Sequence, residues 1–453
     1  MTIGSSDTPP QQVALDGSGI VEVEADAAPV MVLLDMPADG VPDVVTDERE
    51  LVRAARSIAA GTGPVAIDAE RASGYRYGQR AYLIQMRREG SGTWLLDPIA
   101  CPDLSPIAEA LAGVEWILHA ATQDLPCLAE VGLHPTRLFD TELAGRLIGL
   151  PRVGLAAVVE HYLGLHLAKE HSAVDWSTRP LPEPWLRYAA LDVEVLGQVR
   201  DLMADDLAAQ DKTPWAEQEF DSLTRFTGPP VRVEPWRRTS GMHKVRNRRG
   251  AAMIRELWQT RDAIAVERDT APGRVLPDAA LVDLAIKGPR TAADIQDGPG
   301  SRSVRRYQRQ WLSALERARM LPESELPVLT PRSDGPPPAR AWADRDPVAA
   351  ARLAQARTTL GQFAQSRNIP VENVLSPDSI RRVLWNPPSD STTESLAGAL
   401  LALGARQWQV DIVGPILEEA INRPVTTDPE VPVTTDPEVP VTTDPEVPVT
   451  TDR

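Results

Sequence analysis

The spacing of apolar residues changes period several times along the first half of the chain, and these changes predict an α/β domain. Helical spacing runs over 50–60 and stops at Gly61. Between 118 and 203 the pattern is mainly helical, with breaks at 132–136 and 179–184. Short apolar runs bounded by turn residues predict strands over 64–67, 81–86, 93–96 and 115–118.

The second half of the chain shows only helical spacing and divides into two all-α units. Proline-rich passages at 228–235 and 322–340 separate these units from their neighbours. The predicted organisation is an acidic extension (1–44), the α/β domain (45–215), a linker (216–237), an all-α domain (238–322), a linker (323–340), a second all-α domain (341–423) and a tail (424–453).

The tail repeats an eight-residue unit, PVTTDPEV, which begins at Pro424, Pro432 and Pro440. Proline every few residues blocks helices and sheet ladders, and the unit holds no side chain large enough to build a core. We therefore expect 424–453 to be a disordered acidic tail.

The formal net charge of −17 over 453 residues is concentrated at the two ends of the chain. Residues 1–50 carry eleven acids and one base, and 424–453 carry seven acids and one base, so the body between them is close to neutral. The low isoelectric point therefore describes the ends, and a nucleic-acid partner stays open for the folded body.

Cysteine content and the first residues of the chain bear on its location. The only cysteines are Cys101 and Cys127, which excludes a disulfide framework and a cysteine-based zinc site. The start lacks a basic segment, and its longest apolar run, 29–34, is too short to span a bilayer. A cytoplasmic protein without membrane association is expected.

Four carboxylates and a tyrosine lie where the predicted elements can bring them together. Asp68 and Glu70 share a face at the end of the first strand, and Asp124 begins a helix after the fourth. Tyr188 and Asp192 share a helix face at i and i+4. Converging carboxylates repel one another unless a cation lies between them, and oxygen ligands select Mg²⁺ or Mn²⁺. Two such ions form a recurrent site for phosphoryl chemistry.

The order of these residues resembles ribonuclease D, a 3′-5′ exonuclease family of the DEDDy class. Its three motifs match Asp68-Ala-Glu70, His119 with Asp124, and Tyr188 with Asp192. Further family-like segments surround them, at 82–85, 96–98, 139–141 and 175–181. Arg71 departs from the family, which usually carries an aromatic or apolar residue there.

The resemblance implies a ribonuclease H-like fold, with a mixed sheet flanked by helices, and a site for two divalent metal ions. Asp68, Glu70 and Asp192 would hold one ion, and Asp68 with Asp124 the other. Tyr188 would orient the attacking water. It also implies RNA with a free 3′ end as substrate, tRNA precursors among them, release of nucleoside 5′-monophosphates, and a monomeric enzyme. His119, Asp140 and Asp175 are expected to be structural.

The first all-α unit begins with a basic cluster, in which 232–255 hold eight bases and one acid. Such clusters bind phosphate backbones, although an arginine-rich solvated helix face is the alternative. Residues 242–318 resemble an HRDC domain, a helical module that ribonuclease D shares with RecQ-type helicases, and 344–422 resemble a second one. The candidate nucleic-acid contacts are Arg237, Arg238, Lys244, Arg246, Arg248 and Arg249.

Two other functions stay open at this point. The same fold performs DNA proofreading, and no residue obviously reads a 2′-hydroxyl, so a 3′-5′ DNA exonuclease is one alternative. A catalytically silent RNA-binding scaffold is the other. The complete set of four acids and Tyr188 argues against the scaffold, which has no chemical use for all five.

Overall fold

A computed structural model describes residues 31–168, 171, 173–295, 301–330 and 335–423. The predicted disordered tail, 424–453, lies outside the described residues, as do the first 30 residues of the predicted acidic extension. Among the described residues, every helix is too short or too polar to cross a bilayer.

The α/β domain is built on a six-stranded mixed sheet with the strand order β2-β5-β4-β3-β6-β7. Strand β4 is antiparallel to β3 and to β5, whereas β3, β6 and β7 are mutually parallel, as are β2 and β5. A separate parallel pair joins β1 to β8. The strands are β1 (Val32–Leu34), β2 (Val44–Val45), β3 (Thr62–Arg71), β4 (Ala81–Glu89), β5 (Gly92–Leu96), β6 (Glu115–Leu118), β7 (Arg137–Asp140) and β8 (Leu165–Leu167).

Eight helices of the described part of the chain flank this sheet, and the main hydrophobic core lies between these helices and the sheet. The predicted mixed sheet with flanking helices is thereby confirmed. The helices are α1 (Glu48–Ala60), α2 (Ser105–Ala110), α3 (Leu125–Glu130), α4 (Thr141–Ile148), α5 (Leu155–Leu163), α6 (Glu183–Glu194), α7 (Leu196–Ala209) and α8 (Thr213–Thr224).

Two helical units follow, each with its own hydrophobic core. The first contains α9 (Arg248–Glu267), α10 (Pro272–Val275), α11 (Asp278–Lys287), α12 (Ser301–Arg306) and α13 (Gln308–Met320). The second contains α14 (Trp342–Arg345), α15 (Pro347–Ser366), α16 (Val371–Val374), α17 (Pro377–Trp385), α18 (Thr393–Ala402) and α19 (Gln407–Asn422).

The two units repeat one arrangement at a constant separation of 99 residues. The long helices begin at 248 and 347, the four-residue helices at 272 and 371, and the next helices at 278 and 377. Between the long helix and the four-residue helix of each unit, Asp269 and Asn368 adopt left-handed backbone angles, with φ of 44° and 49°. The shared geometry indicates two copies of one helical module.

Several element boundaries differ from those predicted by the sequence. Strands β7 and β8 lie in the stretch 118–203, which was predicted to be mainly helical, and β1 and β2 lie where no element was predicted, because none of the four shows a clear period. In the segment 242–318, which resembles an HRDC domain, the long helix begins only at Arg248, since the side chain of Asn247 accepts the Gly250 N–H and caps the helix there.

Candidate active site

The central strand β3 carries the first two predicted carboxylates at its end. Asp68 and Glu70 project from one face of the sheet because they are two residues apart. Asp68 lies opposite Gln85 of β4 in the antiparallel register. The side-chain amide of Gln85, which is fully buried, donates a hydrogen bond to Asp68 Oδ2. The strand pairing thus fixes the orientation of the first carboxylate.

Asp124 reaches the site from the loop that follows β6. Ala120 in this loop adopts a φ of 57°, and the N–H groups of Ala120 and Ala121 donate to the carboxylate of Asp140. Asp140 also accepts two N–H groups from the first turn of α4. This buried carboxylate therefore ties the loop to a neighbouring helix, and its expected structural role is confirmed.

Helix α6 carries Tyr188 and Asp192 on one face and packs on the sheet strands β3, β4 and β5. The segment leading into α6 is held by Arg179. Its guanidinium donates to both carboxylate oxygens of the buried Asp97, at 2.7 and 3.0 Å, and to the Tyr82 carbonyl at 2.7 Å. Asp175 accepts two hydrogen bonds from Ser177 in the same segment, as expected of a structural acid.

All five predicted site residues line one cavity of about 590 Å³. Carboxylate oxygens of Asp68, Glu70 and Asp192 lie within 4.8 Å of one another, the one such group of possible metal ligands among the described residues. Asp124 lines the same cavity outside this group. The structure thus brings together the residues that the sequence places on three separate elements.

Burial and mutual repulsion raise the pKa values of these acids. Burial raises the pKa of Asp68 to about 6, against smaller lowering effects of the Ala69 backbone and the Arg71 charge. The pKa values of Glu70, Asp124 and Asp192 are also raised, chiefly by burial and then by the neighbouring carboxylates. Burial and the same acids raise the pKa of Tyr188, so its phenol stays protonated.

This donor set fits a divalent cation. The ligand atoms are carboxylate oxygens, which Mg²⁺ and Mn²⁺ prefer, and their raised pKa values express a repulsion that a cation would relieve.

Two further cavity residues have contacts of their own. His119 Nδ1 lies 2.9 Å from Thr141 Oγ1, and burial lowers the pKa of His119 to about 4, which keeps the ring neutral. Arg71 Nη2 lies 3.9 Å from Asp124 Oδ1. Neither Arg71 nor Gln85 was predicted as a site residue; their only signals were the departure from the family at 71 and the family-like segment 82–85.

The six predicted basic residues fall into two groups. Three donate to backbone carbonyls at the end of α13 or in the segment after it: Arg237 to Val328, Arg248 to Leu326, and Arg249 to Ala318, Arg319 and Leu321. The other three, Arg238, Lys244 and Arg246, are exposed and have no ion pair among the described residues.

Comparisons with known proteins agree with this geometry. Residues 42–208 match the family model of a 3′-5′ exonuclease, 251–315 that of an HRDC domain, and 335–421 that of a 3′ to 5′ exonuclease C-terminal domain. Ribonuclease D of Jannaschia sp. is 33% identical over 304 residues, 63% of this chain and 76% of that protein. Ribonuclease D of Shewanella sp. is 34% identical over 213 residues, 46% of this chain and 54% of that protein.

Solved structures give the same result. A protein from Bifidobacterium adolescentis superposes with a TM-score of 0.78 at 38% identity, over 87% of this chain and all of that one. Escherichia coli RNase D superposes with a TM-score of 0.60 at 25% identity, over 83% of this chain and 98% of that one. Together with the exonuclease motifs in one cavity, these matches show that the chain belongs to the ribonuclease D family of 3′-5′ exoribonucleases.

Proposed function

We propose that this enzyme removes nucleotides one at a time from the 3′ end of RNA, at the cavity that Asp68, Glu70, Asp124, Tyr188 and Asp192 line. The observation that carries the proposal is the buried group of carboxylate oxygens, within 4.8 Å of one another, beneath an open cavity. The DNA exonuclease is not favoured, because the relatives are ribonucleases.

In this proposal Asp68, Glu70 and Asp192 hold one Mg²⁺ or Mn²⁺, and Asp68 and Asp124 hold a second. Such cations, when bound, activate water and stabilise the charge that develops on the leaving 3′ oxygen. Tyr188 stays protonated next to Asp192 and positions the attacking water through its hydroxyl group. The neutral His119 packs against Thr141 and takes no part in proton transfer.

We assign RNA binding outside the cavity to the two helical modules, with predicted bounds 238–322 and 341–423, beside an exonuclease domain at 45–215. Arg238, Lys244 and Arg246 are the first candidates for phosphate contacts because their charges are exposed. Phosphate contacts by Arg237, Arg248 and Arg249 also remain a prediction. The E. coli relative is described as an exoribonuclease involved in structured RNA processing. This supports structured RNA as the substrate class. The proposal also includes tRNA precursors among the substrates, a monomeric enzyme and a cytoplasmic location, as the family resemblance implies.

The test compares the wild type with Asp192→Asn on an RNA with a 3′ extension and on DNA of the same sequence. We expect the wild type to shorten the RNA stepwise in Mn²⁺ or Mg²⁺ and to stop in EDTA. Loss of one ligand should lower the rate by at least about 10³-fold. Asp201→Asn, at an exposed acid on α7, is the matched control. Shortening by Asp192→Asn at the wild-type rate would overturn the proposal.

A further inference from the structure

Arg71 lies next to the carboxylates of the cavity and forms an ion pair with Asp124. Among the described residues it has no second ion-pair partner. Its guanidinium approaches Asp124 Oδ1 at 3.9 Å, which is too long for a hydrogen bond. About a quarter of its side chain, 26%, is exposed to solvent in the cavity. Its side chain therefore borders the space that a substrate would occupy.

The backbone directs Arg71 toward this space. In a regular strand, the residue after Glu70 would point away from the carboxylates. The pairing of β3 with β4 shifts register between Glu70 and Arg71. Such an irregularity redirects the side chain that follows it. As a result Arg71 lines the same cavity as Asp68 and Glu70.

The charge of Arg71 acts where the group of metal ligands is incomplete. Asp124 is the one predicted carboxylate ligand outside the group of three within 4.8 Å, and it is the one that pairs with Arg71. A guanidinium and a divalent cation next to one carboxylate repel each other. Arginine also has the fork of N–H donors that matches a phosphate.

We propose that Arg71 is an internal counter-ion that neutralises Asp124 in the RNA-free enzyme. When RNA binds, the Arg71 side chain turns to a phosphate oxygen of the RNA 3′ end, and a second divalent cation binds next to Asp124 in its place. The inference rests on the proposed function and deepens it. The RNA-free enzyme then holds one cation tightly, and nucleotide binding and the second cation favour each other. Arg71 positions the phosphate in the loaded site.

The test counts bound Mn²⁺ by calorimetry on the full-length chain, with and without uridine 5′-monophosphate, which carries the phosphate but is not consumed. We expect the wild type to bind about one Mn²⁺ tightly alone and about two with the nucleotide. Arg71→Gln should bind the second Mn²⁺ about tenfold more tightly than the wild type without nucleotide. Arg152→Gln is the matched control, because Arg152 lines the same cavity but pairs with Glu160.

Arg71→Lys separates charge from shape and covers the case in which Arg71→Gln does not fold. It keeps the charge, so the second Mn²⁺ should stay weak, while nucleotide affinity should fall about tenfold because the fork is lost. Unchanged nucleotide affinity in Arg71→Lys, or wild-type Mn²⁺ binding by folded Arg71→Gln, overturns the inference.

The failure of this inference is distinguishable from that of the proposed function. If the wild type shortens RNA yet binds two Mn²⁺ equally tightly without nucleotide, only the role of Arg71 is wrong. If the wild type neither binds Mn²⁺ nor shortens RNA, the proposed function fails, and the role of Arg71 fails with it.

Discussion

Gln85 shows how single residues prepare the acidic group before any cation binds. Its amide nitrogen donates to Asp68, while its oxygen is buried without a hydrogen-bond partner among the described residues. A side chain that is fully buried keeps this arrangement only if the surrounding strands hold it in place. Gln85 therefore fixes which oxygen of Asp68 faces the cavity.

Gln85→Leu is expected to weaken Mn²⁺ binding by about 10-fold to 100-fold, because partners of metal ligands contribute to affinity on this scale. Calorimetric titration of the RNA-free protein measures the change. Gln79→Leu is the control, since Gln79 is exposed and, within the described part of the chain, accepts a hydrogen bond from Ser73 alone. Equal Mn²⁺ affinity in the folded Gln85 variant and the wild type would refute the positioning role.

The raised pKa values of the acids predict a pH-dependent effect of metal on stability. Burial raises the pKa of Asp68 from 3.8 to about 6, so the metal-free folded state binds protons that the unfolded state has lost. This contribution to stability is complete below pH 3.8 and is lost as the pH rises through about 6. A cation replaces the lost protons and should stabilise the protein more at pH 8 than at pH 5.

Thermal unfolding in Mg²⁺ and in EDTA at these two pH values tests this prediction. At 100 times its Kd, a ligand adds about 2.7 kcal/mol, which raises the unfolding temperature of a domain of this size by roughly 5–10 °C. We expect a shift of this size at pH 8 and a smaller one at pH 5. An equal or larger shift at pH 5 would contradict the account.

At the scale of single residues, the sequence predicts the acids and Tyr188 because strand and helix periods place them on shared faces. It does not predict Arg71 as a cavity residue, because the shift of register that redirects it arises from pairing with β4. Nor does it predict the bond from Gln85 to Asp68, which depends on which residues lie opposite in the sheet.

At the scale of elements, the site depends on how α6 is attached to the sheet. The guanidinium of Arg179 joins Asp97, which follows β5, to the Tyr82 carbonyl of β4 and the Trp176 carbonyl. Helix α6 begins four residues later, at Glu183, and carries the last two site residues. The Asp97–Arg179 pair therefore sets where Tyr188 and Asp192 meet β3.

Arg179→Met should lower the free energy of unfolding by about 3 kcal/mol, because it leaves a buried carboxylate without its partner. Denaturant unfolding measures this loss, and the rate of RNA hydrolysis should fall with it. Arg137→Met is the control. The Arg137 side chain, which pairs with Glu115, is 68% exposed, and an exposed ion pair of this kind contributes less than about 1 kcal/mol. Equal losses in both variants would show that the pair does not anchor α6.

The sequence predicts the sheet strands β3, β4, β5 and β6 but not β7. Its four residues, Arg137–Asp140, form a strand because β6 offers a parallel partner along its whole length. Helical spacing was predicted for 118–203, because two apolar residues, Leu138 and Phe139, are too few to show a separate period. Pairing with β6 therefore determines that this segment is a strand, and the strand places Asp140 at the N-cap of α4.

At the scale of the whole molecule, both helical units contact the α/β domain through the same corner of the module. In the first unit, Asp269 accepts the Tyr77 N–H at 3.3 Å, next to the loop that follows β3. In the second, the Asn368 side chain donates to the carbonyl of Ile148, the last residue of α4, at 3.3 Å. The sequence predicts two helical modules but gives no sign of this common mode of contact, which depends on surfaces of separate domains.

Further contacts hold the second unit against the α/β domain. Trp408 stacks on Trp215 with ring centroids 4.7 Å apart, and the buried Glu219 pairs with Arg406. These side chains come from α8 and from the start of α19, nearly 200 residues apart. The second unit is thus attached to the α/β domain by aromatic and ionic contacts.

The central claim is that the carboxylate cavity hydrolyses the last phosphodiester bond of an RNA chain. The most direct measurement follows an RNA labelled in its 3′-terminal nucleotide, with full-length protein and Mn²⁺, over the first turnovers. We predict that the label appears first as a nucleoside 5′-monophosphate, before any shorter internal fragment. Internal fragments that keep the 3′ label, or a nucleoside 3′-phosphate, would contradict the account.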